Sequence, residues 1–112
     1  VSDRGAAGTN RLAIAATLAK RDALRTTPAG VPAIEWLLEH RSEQPEGGVM
    51  RRVDCELAAV AFGDIAEAIA KLPPGTRLRC EGFLARRWRT GTSLALHVDR
   101  FETLDPADPP RP

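Results

Sequence analysis

"GDIAEAIAKLPPG", residues 63–75, changes period in the middle of a chain that otherwise alternates. Ile65, Ala66, Ile69 and Leu72 recur at three- and four-residue steps and form one helical stripe. Asp64 is placed to N-cap that helix, and Pro73-Pro74-Gly75 ends it. A helix of about two and a half turns is not stable alone in water, so it must plug something larger.

Three alternating segments precede it. "NRLAIAATLAK" (10–20) sets Leu12, Ile14, Ala16 and Leu18 against small or polar partners. "PAIEWLLEHR" (32–41) alternates Ile34, Trp36 and Leu38 with Glu35, Leu37 and Glu39. "MRRVDCELAAVAF" (50–62) places Val53, Cys55, Leu57 and Ala59 on one side and Arg52, Asp54 and Glu56 on the other. Such period-two patterning marks half-exposed strands. Between them, "RDALRTTPAGV" carries turn signals at Pro28 and Gly30, and "SEQPEGG" (42–48) is expected to be a hairpin loop. After the helix, "TRLRCEGFLARRW" (76–88) and "TSLALHVDRFETL" (92–104) are two more strands joined by "RTGT". Leu78, Cys80 and Leu84 share a face, as do Leu94, Leu96 and Val98, and Gly82 in mid-strand predicts a bulge or tight bend.

The resulting order, β-β-β-α-β-β, predicts an all-β domain with one short helix: a five-stranded OB-fold, a Greek-key β-barrel closed at one end by the helix. Sandwiches of this size need more strands and no central helix. The domain is expected to span 10–105, between a loose tail at 1–9 and a Pro-rich tail at 106–112.

A chain of 112 residues with 43% apolar and 28% charged content fits one soluble globular domain. It has no apolar run of membrane-spanning length and no signal-peptide core, which predicts a cytoplasmic protein with no membrane partner. Cys55 and Cys80 fall in apolar-patterned segments and are expected to be a reduced, buried pair rather than a disulfide. His40, His97, Cys55 and Cys80 lack metal-ligand spacing and read as structural. There is no P-loop, nucleophile elbow or dinucleotide fingerprint, and Glu35/Glu39 and Asp54/Glu56 read as solvated carboxylates. No catalytic residue, metal or cofactor is expected, and the chain is not expected to be an enzyme.

The net charge of +1 conceals an uneven distribution: residues 76–100 carry six arginines against Glu81 and Asp99. At its centre lies "LARRWRTGTS" (84–93), where Trp88, in a chain with two tryptophans and no tyrosine, is bracketed by Arg86, Arg87 and Arg89. In an OB-fold the loops joining strands one to two and four to five flank the nucleic-acid face. The first of these carries Lys20, Arg21 and Arg25, and the second carries the Trp-Arg cluster. Cations tracking phosphates and an aromatic plane for stacking are the two parts of a single-strand site. The alternatives are that Trp88 packs on a neighbouring loop or subunit, and that the arginines are a solvated strand face. Trp36, in phase with Ile34 and Leu38, is expected in the core or a dimer interface.

"NRL" (10–12), "TPAGVP" (27–32), "LLEHRS" (37–42), the Cys55 strand and "VAFG" before the helix resemble the bacterial PriB (primosomal replication protein N) family, relatives of the single-stranded DNA-binding proteins. The resemblance runs from about Asn10 to Asp105. It implies a homodimeric OB-fold that binds single-stranded DNA and assists the PriA helicase in replication restart, with a further primosome loader as a possible partner. It implies DNA contacts at Lys20, Arg25 and Arg41 and at Arg86, Arg87 and Arg89, to which Trp88, placed where single-stranded DNA-binding proteins carry a tryptophan after basic residues, and Arg52 on the wet side of strand three are added. Asp54 and Val49 stand where enteric members carry aromatics, so Trp88 is expected to take over stacking, with Asp54 opposing phosphate. Two other functions fit the same residues: an OB module that acts mainly by touching the helicase, and a housekeeping single-stranded DNA-binding protein.

Overall fold

The computed structural model describes residues 8–105; the first seven residues of the expected N-terminal tail and the whole expected C-terminal tail lie outside that range. Alternation in the first segment gives β1 (Leu12–Arg21), and a two-residue strand not foreseen from the sequence, β2 (Arg25–Thr26), follows. β3 (Pro32–Glu46) and β4 (Val49–Phe62) form the longest pair, then come helix α1 (Asp64–Ile69), β5 (Arg77–Arg86) and β6 (Leu94–Thr103). The sheet runs β1-β5-β6-β4-β3-β2, and β1 also pairs with β3, which closes a barrel. Every pairing is antiparallel except the parallel contact of β4 with β6. The five long strands thus follow the OB-fold connectivity that the pattern predicts.

Large and small side chains alternate across the barrel interior. Trp36 lies opposite Ala59, which in turn faces Leu96, and all three are buried. Leu18, Ile34, Leu38, Leu78 and Cys80 fill the remaining layers. Trp36 is therefore a core residue, 4% exposed. Ala66 and Ile69 of α1 are fully buried, so the helix plugs the barrel as its stripe predicts. It is shorter than expected, with six residues, because its last turn tightens into three-residue hydrogen bonds from Lys71 to Ala68 and from Leu72 to Ile69 before the prolines. The N-cap is Gly63, which has no side chain to offer; Asp64 is instead the first helical residue.

Gly82 is where the fold demands glycine. The β5–β6 register slips between Glu81 and Gly82, and a Cβ at Gly82 would overlap the backbone carbonyl of His97. This is the bulge expected at that position.

Residues 42–48 are not a loop. β3 and β4 stay paired from Arg41↔Asp54 out to Glu46↔Val49, with only Gly47-Gly48 turning the chain, both at positive φ. The sequence looks like a loop because this ribbon has left the barrel and has no core to alternate against. The same departure corrects the expectation for Cys55, which is exposed while Cys80 is buried. Leu94, expected to share the buried face of Leu96, is 49% exposed at the outer end of β6. Leu37, which alternates on the outward side with Glu35 and Glu39, is half-buried.

His40 stitches the base of the ribbon to the barrel. Its Nδ1–H donates to the Ala15 carbonyl at 2.7 Å. In the neutral ring, Nε2 then accepts from the Ser42 hydroxyl at 2.7 Å, while Ser42 accepts from the Gln44 amide at 3.0 Å. Ser42 is thereby the one buried polar residue of the ribbon and is fully partnered.

Candidate nucleic-acid interface

Strand pleating sorts the outward residues of β3 and β4 into rows. Glu35 pairs with Val60, Leu37 with Ala58, Glu39 with Glu56, Arg41 with Asp54 and Glu43 with Arg52. The first row continues through His97 on β6 to Phe83 on β5.

At that first row two loops converge. The Arg25 guanidinium, on β2, lies 3.8 Å from one carboxylate oxygen of Glu35, and the Arg87 guanidinium, from the loop after β5, lies 3.5 Å from the other. Arg87 also sits over the indole of Trp88, 4.8 Å from the ring centre. The chain Arg25–Glu35–Arg87–Trp88 thus spans both loops that the sequence places at the nucleic-acid face. Beside it opens a recess of about 140 Å³ whose lining includes Glu35, Arg86, Ala58, Ala95, Phe62 and His97. The alanines leave room, and the rings and guanidiniums form the walls.

Trp88 is 55% exposed. β5 ends at Arg86, so Trp88 belongs to the loop joining the last two strands, where the Trp-Arg cluster was expected. Arg86 and Arg89 are exposed and pair with no carboxylate among the described residues. Lys20 and Arg21 lie on β1 rather than in a loop. Lys20 is exposed opposite Leu37, one row along β3 from Glu35. Arg21 donates to the Leu72 carbonyl at 3.0 Å and so anchors the helix end instead of facing a ligand.

Arg41 and Arg52 form a second cluster, on the ribbon. Both reach Asp54, at 3.4 and 3.3 Å. The carboxylate expected to repel phosphate is thus shared by two arginines. Between the two clusters lies the row of Glu39 and Glu56, both exposed. The structure therefore places seven of the eight candidate residues in two cationic patches, with Lys20 on the Leu37 row between them.

One feature of the site escaped the sequence. Phe83 stacks on His97 with ring centres 5.0 Å apart, and His97 stacks on Phe62 at 6.3 Å. Both phenylalanines are more than two-fifths exposed. The signal was available in part, since Phe83 is out of phase with the core residues of its strand. Only the β4–β6–β5 register brings the three rings together. Among the described residues no group of side chains could hold a metal ion, and Cys80 is withdrawn from thiolate chemistry, its thiol pushed up to about 12 by burial.

A closed five-stranded barrel with a capping helix and cationic loops flanking one sheet face defines an oligonucleotide-binding barrel. A family model described as another single-strand binding protein family matches residues 10–100. The replication restart protein PriB of Bordetella pertussis is 42% identical over 95 residues, covering 85% of this chain and 89% of that protein. The PriB structure from Ralstonia solanacearum superimposes with a TM-score of 0.79 at 36% identity, covering 86% of this chain and 98% of that one. The single-stranded DNA-binding protein of Thermus aquaticus shares the fold, with a TM-score of 0.73 at 24% identity over 91% of this chain and 53% of its own. The chain belongs to the single-strand binding family and, within it, to the PriB replication restart proteins.

Proposed function

We propose that this barrel binds single-stranded DNA without sequence preference, as an accessory protein of replication restart that stimulates a PriA-type helicase. The observation that carries this reading is the convergence of Arg25 and Arg87 from two loops beside an exposed Trp88. Guanidiniums supply phosphate contacts and counterion release, and the indole supplies a stacking plane that every base fits. Arg86 and Arg89 extend the cationic track along the same loop, and the Phe62–His97–Phe83 row offers further apolar faces for bases. Arg41 and Arg52 on the ribbon, and Lys20 on β1, are secondary contacts. The homodimer and the cytoplasmic setting belong to the same reading and rest on the family.

The test is anisotropy of a labelled oligo-dT of about 35 nucleotides, a length chosen from site sizes of ~4–16 nucleotides per OB unit to span a dimer. Tight binding that falls steeply with salt supports the reading. Absence of binding at low salt refutes it and favours the second function, an interaction module for the helicase. Two observations favour that second function: the acidic row of Glu39 and Glu56 interrupts the cationic face, and the ribbon tip carries Val49 and Met50 exposed at 67% and 57%.

A further inference from the structure

Glu35 stands in an unusual place for an acid. It is the only carboxylate, among the described ion pairs, held between two guanidiniums that arrive from different loops. Its side chain is about a quarter exposed, at 27%. Its two oxygens each face one arginine, at 3.8 Å and 3.5 Å, and neither contact is short enough to be a strong charge-assisted hydrogen bond. The arrangement is that of an anion site already filled by the protein's own anion. A carboxylate and a phosphodiester present guanidinium with the same pair of oxygen acceptors.

The geometry points to a phosphate subsite between Arg25 and Arg87, occupied by Glu35 in the free protein and taken over by one backbone phosphate of single-stranded DNA in the complex. This rests on the proposed DNA binding and adds which phosphate contact bridges the two loops and what opposes it. Glu35 lies on a strand and is fixed by the β3–β4 ladder, whereas Arg87 sits in the loop after β5. The arginine is the partner free to move. When Arg87 turns to the phosphate its contact with Glu35 loosens, and the indole beneath it is uncovered on that face. Phosphate binding and base stacking on Trp88 are then linked through one side chain. Each exchange costs the protein an ion pair, so Glu35 acts as a built-in competitor that sets the affinity.

The test compares wild type with Glu35→Gln, an isosteric change that keeps the side chain's length and removes its charge. With labelled oligo-dT at ~50 mM salt, Glu35→Gln is expected to bind about five- to tenfold tighter, the effect of releasing two half-exposed ion pairs. Glu39→Gln, on the same face but in no described ion pair, controls for general charge and is expected to gain less than twofold. A double-mutant cycle supplies the specific signature: Arg25→Ala costs more affinity in the Glu35→Gln background than in wild type, because there the arginine no longer has to leave a partner. Thermal midpoints of all variants show that they are folded. Should Glu35→Gln fail to fold, Glu35→Asp, whose shorter reach draws the charge back from the arginines, is expected to tighten binding by a smaller factor. If wild type binds and Glu35→Gln binds equally or more weakly, the shared subsite is wrong and the DNA-binding reading stands. A gain in Glu39→Gln as large as in Glu35→Gln also overturns it. If neither wild type nor Glu35→Gln binds at low salt, the DNA-binding reading falls, and this inference with it.

Discussion

Replacing Trp88 by alanine isolates the stacking half of the proposed interface. The indole is 55% exposed, and one of its faces is covered by the Arg87 guanidinium at 4.8 Å. One open face takes one base, and a base–aromatic stack is worth ~1–3 kcal/mol. Removing the ring also removes a cation–π interaction of ~0.5 kcal/mol that Arg87 makes in the free protein, so the guanidinium reaches the same phosphate at lower cost and offsets part of that loss. A net loss near ~1.4 kcal/mol means binding to oligo-dT about tenfold weaker. The salt slope should scarcely change, because no phosphate contact is removed. The same side chain reports on itself in the unmodified protein. The chain has two tryptophans, and the other, Trp36, is buried at 4% exposure, so fluorescence quenching by DNA comes from Trp88. A titration should show quenching that saturates at the stoichiometry seen by anisotropy. Full binding with unquenched tryptophan emission, or Trp88→Ala binding like wild type, would refute the stacking role.

Replacing Arg86, Arg87 and Arg89 together by alanine should weaken binding further and reduce the slope of log K against log salt by about 1.4, from the unopposed Arg86 and Arg89 at ~0.7 each, with Arg87 adding less because it exchanges Glu35 for phosphate. An unchanged slope would mean that these side chains do not meet phosphates. Gly82→Ala should destabilise the fold by about 1–3 kcal/mol, since the added methyl meets the His97 backbone rather than a yielding side chain. Thermal denaturation checks it, with a midpoint lowered by at least ~5 °C expected. With a thiol reagent at pH 8, Cys55 should react at once, while Cys80, its thiol pushed up to about 12 by burial, should react only on unfolding. Two equally fast thiols would contradict the placement of Cys80 in the core.

The barrel was legible because each of its strands buries one face and so alternates, and because α1 breaks that alternation between the third and fourth long strands. Where the chain leaves the barrel the code stops. Residues 43–52 are paired as one ribbon, yet both of its faces meet water, so Pro45 and Gly47-Gly48 looked like a loop, and Cys55 near its base like a core residue. The helix cap failed for a different reason: Asp64 is a good capping type one position too late. At the site, composition exposed the Trp88 cluster and Arg25, since scarce aromatics and clustered arginines stand out along a chain. Glu35 did not stand out, being one acid in an alternating strand. Its significance depends on a salt bridge to a residue 52 positions away. Phe62, His97 and Phe83 likewise join only through strand register.

The distribution of carboxylates explains how a chain of net charge +1 could act on a polyanion. Arg25 and Arg87 share Glu35, Arg41 and Arg52 share Asp54, Arg100 meets Glu81, and Arg11 meets Asp99 at 2.7 Å. The two shared sites each hold two guanidiniums to one acid, so each keeps one positive charge in excess. The single pairs contribute almost none. A nucleic acid passing along this face would therefore exchange partners at Glu35 and Asp54 and, among the described candidate contacts, meet unopposed cations at Arg86, Arg89 and Lys20. Exchange of one anion for another releases fewer counterions than neutralising a bare cation, so the salt slope of such a surface is shallower than its number of arginines implies. It also shortens the life of the complex, because the displaced carboxylate stays within reach and competes for the arginine at every moment. Under the proposed function, a barrel built in this way would hold single-stranded DNA briefly, which suits an accessory that must yield the strand to a helicase better than it suits a protein whose task is to coat and keep it.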